Sequence, residues 1–360
     1  MPTNSEYAPR RARVSHLLME HHIDGFLVTA LPNVRYLSGF TGSNGAVLLA
    51  GRHSLLFTDP RYQTQAPHES DCEVKISKQA LLTEVAKWLR RLGVRRLGFE
   101  RSRMSFESYD FLKHHDAKLK LIPVADVVEA VRAVKSTVEL GTIKAAVELN
   151  SAAFEQAVRN FKPQISETDL AAEIEYKMRR LGADGPSFET IVASGRRSAL
   201  PHARPSSAPI QTDQLLLVDM GASLAGYASD MTRTLAVGRL APRAKRIYKA
   251  VLESQLAAID NVRAGVACSS VDRAARNVLK KHGLDRYFVH STGHGLGLEI
   301  HESPRIGRKE SRRLEAAMAI TIEPGVYVED FGGVRIEDTV VVTNNGCQVL
   351  TPTQKDLMIL

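Results

Sequence analysis

A repeated order of helices and strands in residues 131–360 most constrains the fold of this chain. Apolar residues at a 3.6-residue period predict two consecutive helices, Ile143–Phe161 and Thr168–Leu181, followed by strand-like runs. The same order returns with helices over Ala241–Val262 and Ser270–His282 and further strand-like runs. Two copies of this length are too few and too long for a solenoid. They predict an α+β domain of two similar halves, with a site between their sheets.

Residues 1–130 predict a separate α/β domain with a mixed sheet. The run DGFLVTA (24–30) predicts a buried strand, and the two apolar runs around GRH (51–53) predict a hairpin. The segment LLTEVAKWLRRLG (81–93) predicts an amphipathic helix that ends at a glycine, and RRLGFE (95–100) predicts another strand. We therefore divide the chain into domains at 1–130 and 131–360.

The composition is that of a globular protein with an apolar core. The chain has 360 residues, of which 44% are hydrophobic and 24% charged. The net charge of +8 comes from scattered basic clusters without interleaved aromatic residues, so we expect no nucleic-acid partner. No apolar run reaches the length of about 18 residues that a membrane span needs, and no secretory signal is recognisable, so we expect a cytoplasmic protein with no membrane partner. Three distant cysteines argue against a disulfide framework.

The segment STGHGLGLEIHE (291–302) combines alternating glycines with two histidines. Its spacing lacks the G-x-G-x-x-G and Gly-Lys-Ser/Thr patterns of nucleotide-binding loops, and no helical pattern follows. His290 and His294 are four residues apart, as in a helical zinc motif, but the three glycines would each cost such a helix about 1 kcal/mol. No glutamate follows His290 either. The pattern therefore predicts that His294 lies in extended or looping backbone with close neighbours.

Four acidic residues lie in or at the ends of apolar strand-like runs. Asp219 follows LLLV, and Asp230 comes after a glycine-containing connection that fits a hairpin. Glu323 lies in ITIEPG, and Glu337 lies in VRIEDT, where Arg335 shares its face of the strand. Burying an unpaired charge costs several kcal/mol. Two alternatives remain: separate solvated residues at strand ends, or one site where divalent metals neutralise all four carboxylates.

In this order and with these surroundings, the residues resemble the metal-ligand set of the M24 metallopeptidases, which have the pita-bread fold. The matching motifs are VDMGA…YASDMTRT, GHGLGLEIHE, IEPGVY and RIEDT. The resemblance implies two divalent ions, with Mn²⁺ fitting such an oxygen-rich set best and Co²⁺ or Zn²⁺ also acceptable. It implies that Asp219 chelates one ion, His294 and Glu323 bind the other, and Asp230 and Glu337 bridge the pair.

The resemblance also narrows the branch of the family. NVRYLSGFTGSNG and FTDPRYQTQA resemble the small, creatinase-like N-terminal domain of bacterial Xaa-Pro aminopeptidases, which have prolidases as close relatives. The resemblance implies an aminopeptidase that hydrolyses the bond between an N-terminal residue and proline. The alternatives are a prolidase, which cleaves Xaa-Pro dipeptides only, and a non-catalytic binding protein on the same fold. The implied partners are short peptides with proline at position 2 and further copies of the chain, in a homodimer or larger homo-oligomer.

Catalytic roles follow from the resemblance as well. Glu323 is the expected proton shuttle between the attacking water and the proline nitrogen, which carries no hydrogen as a tertiary amide. His202 is expected near the substrate, while His290 and His301 are expected to line the proline side and stabilise the oxyanion. Arg335 is expected to hold a bridging acid in place or to meet the substrate. Tyr327 is expected to donate a hydrogen bond within the site.

Overall fold

The computed structural model describes residues 6–162 and 164–360. The chain divides into two compact units, Met1–Arg132 and Ala133–Leu360. Among the described residues, no helix has the length and apolar character that crossing a membrane requires. The expected cytoplasmic location and homo-oligomeric state stay predictions.

The N-terminal unit is built on one six-stranded sheet with the strand order β4-β3-β2-β1-β5-β6. The strands are β1 (Gly25–Val28), β2 (Gly45–Ala50), β3 (His53–Thr58), β4 (Glu73–Ile76), β5 (Arg96–Glu100) and β6 (Lys120–Val124). The helices are α1 (Tyr7–Leu18), α2 (Leu31–Ser38), α3 (Gln65–Glu69), α4 (Leu81–Arg91), α5 (Phe106–His115) and α6 (Val127–Ala133). The predicted hairpin is confirmed, because β2 and β3 pair antiparallel. β1 pairs parallel with β5 and antiparallel with β2, so the sheet is mixed, as predicted.

Helix α4 shows how the sequence pattern becomes a packed layer. Val85 and Leu89 are spaced one turn apart and are buried against sheet residues that include Leu48, Leu55 and Leu97. Each fully buried leucine or valine contributes about 1.5–3 kcal/mol of hydrophobic stabilisation. The predicted amphipathic helix is therefore confirmed.

The C-terminal unit contains two pairs of helices, each followed by strands. The helices are α7 (Thr137–Arg159), α8 (Glu167–Arg180), α9 (Pro242–Asp260) and α10 (Cys268–Lys281). The strands before α9 are β7 (Gly185–Pro186), β8 (Ile191–Ser194), β9 (Gln214–Met220), β10 (Ala222–Leu224), β11 (Tyr227–Ala228) and β12 (Met231–Val237). Those after α10 are β13 (Gly293–Gly295), β14 (Glu302–Ile306), β15 (Ala319–Ile322), β16 (Gly325–Val328), β17 (Gly332–Arg335), β18 (Asp338–Val342) and β19 (Cys347–Val349).

The two halves have separate main sheets, and the core of the second half also includes Leu215 and Ala236 of the first. In the first half, α7 and α8 share a core with β9 and β12, which belong to the sheet β12-β9-β8. In the second half, α9 and α10 share a core with β15 and β18, which belong to the sheet β14-β13-β15-β18-β19. Smaller sheets, β11-β10-β7 and β16-β17, complete the unit. The predicted repeat of helix, helix and strands is confirmed.

Two of the predicted strands are interrupted, and this matters for the site. The run MAITIEPGVYV forms β15 and β16, which belong to different sheets, and GVRIEDTVVVT likewise forms β17 and β18. Pro324 has no backbone N–H to donate to a ladder, so it cannot continue β15 as a central strand. Glu323 and Glu337 therefore lie at the two breaks, where the chain passes from one sheet to another.

Candidate metal centre and active site

The five predicted metal ligands line one cavity of about 810 Å³ in the C-terminal unit. Asp219 lies in β9, and Asp230 immediately precedes β12, the antiparallel partner of β9. His294 is the middle residue of β13, and Glu323 and Glu337 occupy the two strand breaks. Five separate stretches of sequence are thus brought together at the meeting point of the sheets.

His294 presents one ring nitrogen to the carboxylates. Its Nδ1 lies 2.9 Å from the carbonyl oxygen of Gly295, and it donates there because a carbonyl only accepts. Its Nε2 then carries the lone pair, 3.6 Å from Asp230 Oδ2 and 3.4 Å from Glu323 Oε1. Ligand atoms of Asp230, His294 and Glu337 all lie within 4.8 Å of one another. This is the tautomer and the spacing that a metal-binding histidine requires.

Unsatisfied carboxylate oxygens show that the site suits cations. Arg335 Nη2 donates to Asp219 Oδ2 at 2.5 Å, and Thr232 Oγ1 donates to Glu337 Oε2 at 2.6 Å. The second oxygen of each acid, Asp219 Oδ1 and Glu337 Oε1, is buried without a hydrogen-bond partner. Buried polar atoms are almost always paired. An oxygen-rich cluster with one imidazole and two orphaned oxygens fits divalent metal ions.

The acids strongly perturb one another in the absence of cations. Burial, reinforced by the charge of Glu337, raises the pKa of Asp230 well above its ordinary value. Burial raises the pKa of Glu323 to about 7. The pKa of Glu337 is raised by burial and then by the charge of Glu323. Divalent cations would therefore displace protons from this cluster as they bind.

The glycines around His294 are required by close backbone contacts. A Cβ atom on Gly293 would lie 1.9 Å from the carbonyl oxygen of Thr321, and one on Gly295 would lie 2.4 Å from that of Ser303. β13 pairs with both β14 and β15, so two neighbouring strands approach this segment. The prediction that His294 lies in extended backbone with close neighbours is confirmed.

Three further histidines predicted for the site, His202, His290 and His301, also line the cavity. The ring of His301 lies 4.4 Å from the ring of His294. His290 is more enclosed, and burial lowers its pKa to about 4, so it is neutral at neutral pH. Its Nδ1 donates to the carbonyl of Ser291 at 2.8 Å, and its Nε2 accepts from Tyr327 Oη at 2.9 Å. Both ring nitrogens of His290 are thus already engaged.

Arg335 links the acids to the hydrogen-bonded pair formed by His290 and Tyr327. Its guanidinium is buried and donates to Asp219 Oδ2, to Tyr327 Oη at 2.6 Å and to Thr232 Oγ1 at 3.0 Å. Arg233, the other cation near the acids in sequence, donates instead to Asp338 Oδ1 and to backbone carbonyls. Arg335 is therefore the guanidinium that meets a predicted ligand.

Several residues of the site were not predicted from the sequence. Thr321 Oγ1 accepts from the backbone N–H of His294 and donates to Glu323 Oε1 at 3.3 Å. Thr321 precedes Glu323 by two residues, and the two-residue period of strands could have indicated that they share a face. Arg204 and Arg305 also line the cavity, but nothing in their local sequence distinguishes them from surface arginines.

Fold and site together define an α+β unit of two similar halves in which side chains of metal-ligand type from both halves meet in one cavity. The chain belongs to the metallopeptidase family M24, whose model matches residues 141–344. The model of the Creatinase/Prolidase N-terminal domain matches residues 10–134. The predicted family and the predicted fold class, a creatinase-like domain followed by a pita-bread catalytic domain, are confirmed.

Three relatives extend this comparison over nearly the whole chain. The Xaa-Pro dipeptidase of Pyrococcus horikoshii is 37% identical over 96% of this chain and 97% of its own length. The structure of an Xaa-Pro dipeptidase from Bacillus anthracis has a TM-score of 0.96 and 39% identity, covering 98% of this chain and 100% of that one. The structure of an X-Pro aminopeptidase from Thermotoga maritima has a TM-score of 0.90 and 35% identity, covering 97% and 100%.

Proposed function

We propose that this protein is an Xaa-Pro dipeptidase, which hydrolyses the bond before proline in a dipeptide. This is the alternative considered from the sequence, and the relatives support it better than the Xaa-Pro aminopeptidase expected there. The observation that carries the proposal is the convergence of four carboxylates and one imidazole in a cavity that also contains arginines. The non-catalytic alternative loses support because all five ligand positions are filled by ligand-type side chains.

The proposed centre holds two divalent ions, with Mn²⁺ preferred because hard oxygen donors outnumber nitrogen. Asp219, Asp230, His294, Glu323 and Glu337 would together hold the ions. Bound ions of this kind supply Lewis-acid chemistry, polarising the scissile carbonyl and lowering the pKa of a water molecule.

Glu323 is the proposed proton carrier of the reaction. Its carboxyl group lines the cavity beside His294, where a carboxylate can pass a proton between water and substrate. The proline nitrogen carries no hydrogen, so it must receive a proton to leave. Glu323 would take that proton from the attacking water and deliver it to the nitrogen.

The other predicted catalytic residues divide into two groups. His202 and His301 are exposed in the cavity, and we propose that they contact the substrate and the developing oxyanion. His290 and Arg335 are tied to Tyr327, one through Nε2 and the other through Nη1. We propose that this pair orients the Tyr327 hydroxyl and holds Asp219 in place.

A dipeptide differs from a longer peptide in carrying its carboxylate on the proline itself. A dipeptidase therefore needs a cation inside the cavity, close to the proline subsite. Arg204 and Arg305 are the candidates: both line the cavity, and Arg305 Nε donates to Ser291 Oγ at 3.0 Å. Guanidinium groups suit this task because they bind a carboxylate through two parallel hydrogen bonds.

The decisive experiment is a peptide panel after chelation and reloading with Mn²⁺. Ala-Pro should be hydrolysed rapidly, whereas Ala-Pro-Ala and the amide Ala-Pro-NH₂ should be poor substrates. Arg204→Met and Arg305→Met should raise the KM for Ala-Pro. Equal hydrolysis of the tripeptide would restore the aminopeptidase assignment, and no hydrolysis of any proline peptide would restore the binding-protein alternative.

A further inference from the structure

One loop of the C-terminal unit, residues 195–205, contributes a block of cavity-lining residues: Pro201, His202, Ala203 and Arg204. The loop begins after Ser194, the last residue of β8, and returns to the first turn of α8 at Ser206. His202 and Arg204 are exposed in the cavity. The position of the loop must therefore be fixed by contacts on the side away from the cavity.

A single buried carboxylate holds both ends of this loop. Glu167, the first residue of α8, is 0% exposed. Its Oε1 accepts from the N and Oγ of Ser194 at 2.8 and 3.0 Å. Its Oε2 accepts from the N and Oγ of Ser206 at 3.1 and 2.7 Å and from Arg197 Nε at 2.9 Å. Two ends that are twelve positions apart in sequence thus meet at one side chain.

The hydrogen bonds of Glu167 connect, through Arg197, to the part of the loop that lines the cavity. Arg197, held by Glu167, also donates through Nη2 to the backbone carbonyl of Arg204. From the opposite side, Arg335 Nη1 donates to the carbonyl of Pro201 at 3.3 Å. Ionised acceptors make the stronger hydrogen bonds, and removing the acceptor would leave buried donors unpaired.

We infer that Glu167 is a positioning residue that closes loop 195–205 and thereby sets His202 and Arg204 for substrate binding. This rests on the proposed function, which assigns both residues to the substrate. Glu167 does not itself line the cavity, so it acts through the loop. A shift of about 1 Å in groups that hold the substrate can cost about 100-fold in rate.

The test compares Glu167→Gln with Ser166→Ala, a matched control in the same helix turn. Ser166 caps α8 by accepting from the N–H of Asp169, and its loss weakens the helix without touching the loop. Glu167→Gln should lower kcat/KM for Ala-Pro by about 100-fold, mainly through KM, while Mn²⁺ binding is retained. Ser206→Ala, which removes one donor, should give a smaller change in the same direction. Ser166→Ala should retain the wild-type KM.

Two readouts separate positioning from general destabilisation. In a His202→Ala background, Glu167→Gln should cost much less than it costs in the wild type, because part of its effect passes through His202. Trypsin should cut after Arg196 and Arg197 faster in Glu167→Gln than in Ser166→Ala. An unchanged KM in folded Glu167→Gln, or an equal cost in both backgrounds, would overturn the inference. If the wild type cleaves no Xaa-Pro dipeptide, the proposed function fails, and unchanged trypsin cleavage in Glu167→Gln would then overturn loop closure separately.

Discussion

Both units of the chain bury carboxylates, but they satisfy them in different ways. In the N-terminal unit, Glu100 is only 4% exposed, and its Oε2 accepts from the backbone N–H groups of Thr29 and Ala30. Its Oε1 accepts from Asn33 Nδ2 at 2.6 Å. In the C-terminal unit, Asp219 and Glu337 each keep one buried oxygen without a hydrogen-bond partner.

The difference separates a structural acid from one prepared for a ligand. The donors around Glu100 come from the chain itself, so folding alone supplies its hydrogen bonds. The site acids are instead crowded against one another, and each orphaned oxygen costs about 1–3 kcal/mol until something pairs with it. A divalent cation provides that pairing for several oxygens at once, so folding and metal binding should be coupled here.

The largest effect should follow removal of one acid from the cluster. Asp230→Asn should lower Ala-Pro hydrolysis by about 1,000-fold or more and abolish stabilisation by Mn²⁺. The metal-free variant should melt at the same temperature as the wild type or higher, because one crowded carboxylate is gone. Peptide assays and thermal melts with and without Mn²⁺ measure both effects. A variant that still gained stability from Mn²⁺ would show that Asp230 is not one of the acids that pair with the cation.

The pH dependence of stability should differ between the metal-free and Mn²⁺-loaded proteins. Burial raises the folded-state pKa of Asp230, Glu323 and Glu337, so their contribution is present at low pH and is lost as pH rises through those values. His290 has the opposite effect on stability, because burial lowers its folded pKa to about 4. Between that value and its ordinary pKa of about 6.5, its contribution to stability rises with pH. About one pH unit above this value, the contribution of the acids dominates the change in stability with pH.

Thermal melts between about pH 7.5 and pH 8.5 report mainly on the acids, since unperturbed histidines, with a pKa of about 6.5, are mostly neutral there. The metal-free protein should lose stability over this interval, and the shift produced by Mn²⁺ should grow with pH. A melting temperature of the metal-free protein that rose across the same interval would show that the acids are not protonated in the folded state.

The structural acid of the N-terminal unit should show a change in stability only. Glu100→Gln places an amide group against donors that need an acceptor, and should lower the free energy of unfolding by about 1–3 kcal/mol. Denaturant titration measures this loss. The stabilisation by Mn²⁺ and the KM for Ala-Pro should match the wild type, and a change in Mn²⁺ affinity would remove the distinction between the two kinds of acid.

The smallest effect is expected at the edge of the site. Tyr327→Phe removes the hydroxyl that lies between His290 and Arg335, which leaves His290 Nε2 without that partner, while Arg335 Nη1 keeps the carbonyl of Pro201. Stability should fall by about 1 kcal/mol, and kcat/KM for Ala-Pro should fall only a few-fold. A loss as large as that of Asp230→Asn would instead give Tyr327 a direct part in the reaction.

Local patterns predicted the repeat, whereas the set of metal ligands was implied by the resemblance to the M24 metallopeptidases. Helical periodicity marked all four helices of the C-terminal unit, and the segment SETD (166–169) begins α8 with a reciprocal cap between Ser166 and Asp169. Alternating glycines excluded a helix at His294, and close contacts at Gly293 explain the exclusion. These features are visible in sequence because neighbouring residues decide them.

The two strand breaks differ in how visible they are in the sequence. Pro324 and Gly325 mark a break after Glu323, but the prediction treated MAITIEPGVYV as one strand. The two-residue alternation continues through Glu337, and only the pairing of β17 and β18 with different sheets reveals the second break. Glu167 was missed for a related reason: a glutamate in the first turn of a helix is ordinary, and its partners are 27 and 39 residues away.

We propose that the four acids and His294 together bind two divalent cations. Crystals of the wild type, chelated and then soaked in Mn²⁺, test this directly by anomalous diffraction at the manganese edge. We expect two anomalous peaks in the cavity, each in contact with carboxylate oxygens, and one also in contact with His294 Nε2. A cavity without anomalous density, or manganese bound away from these five side chains, would contradict the account.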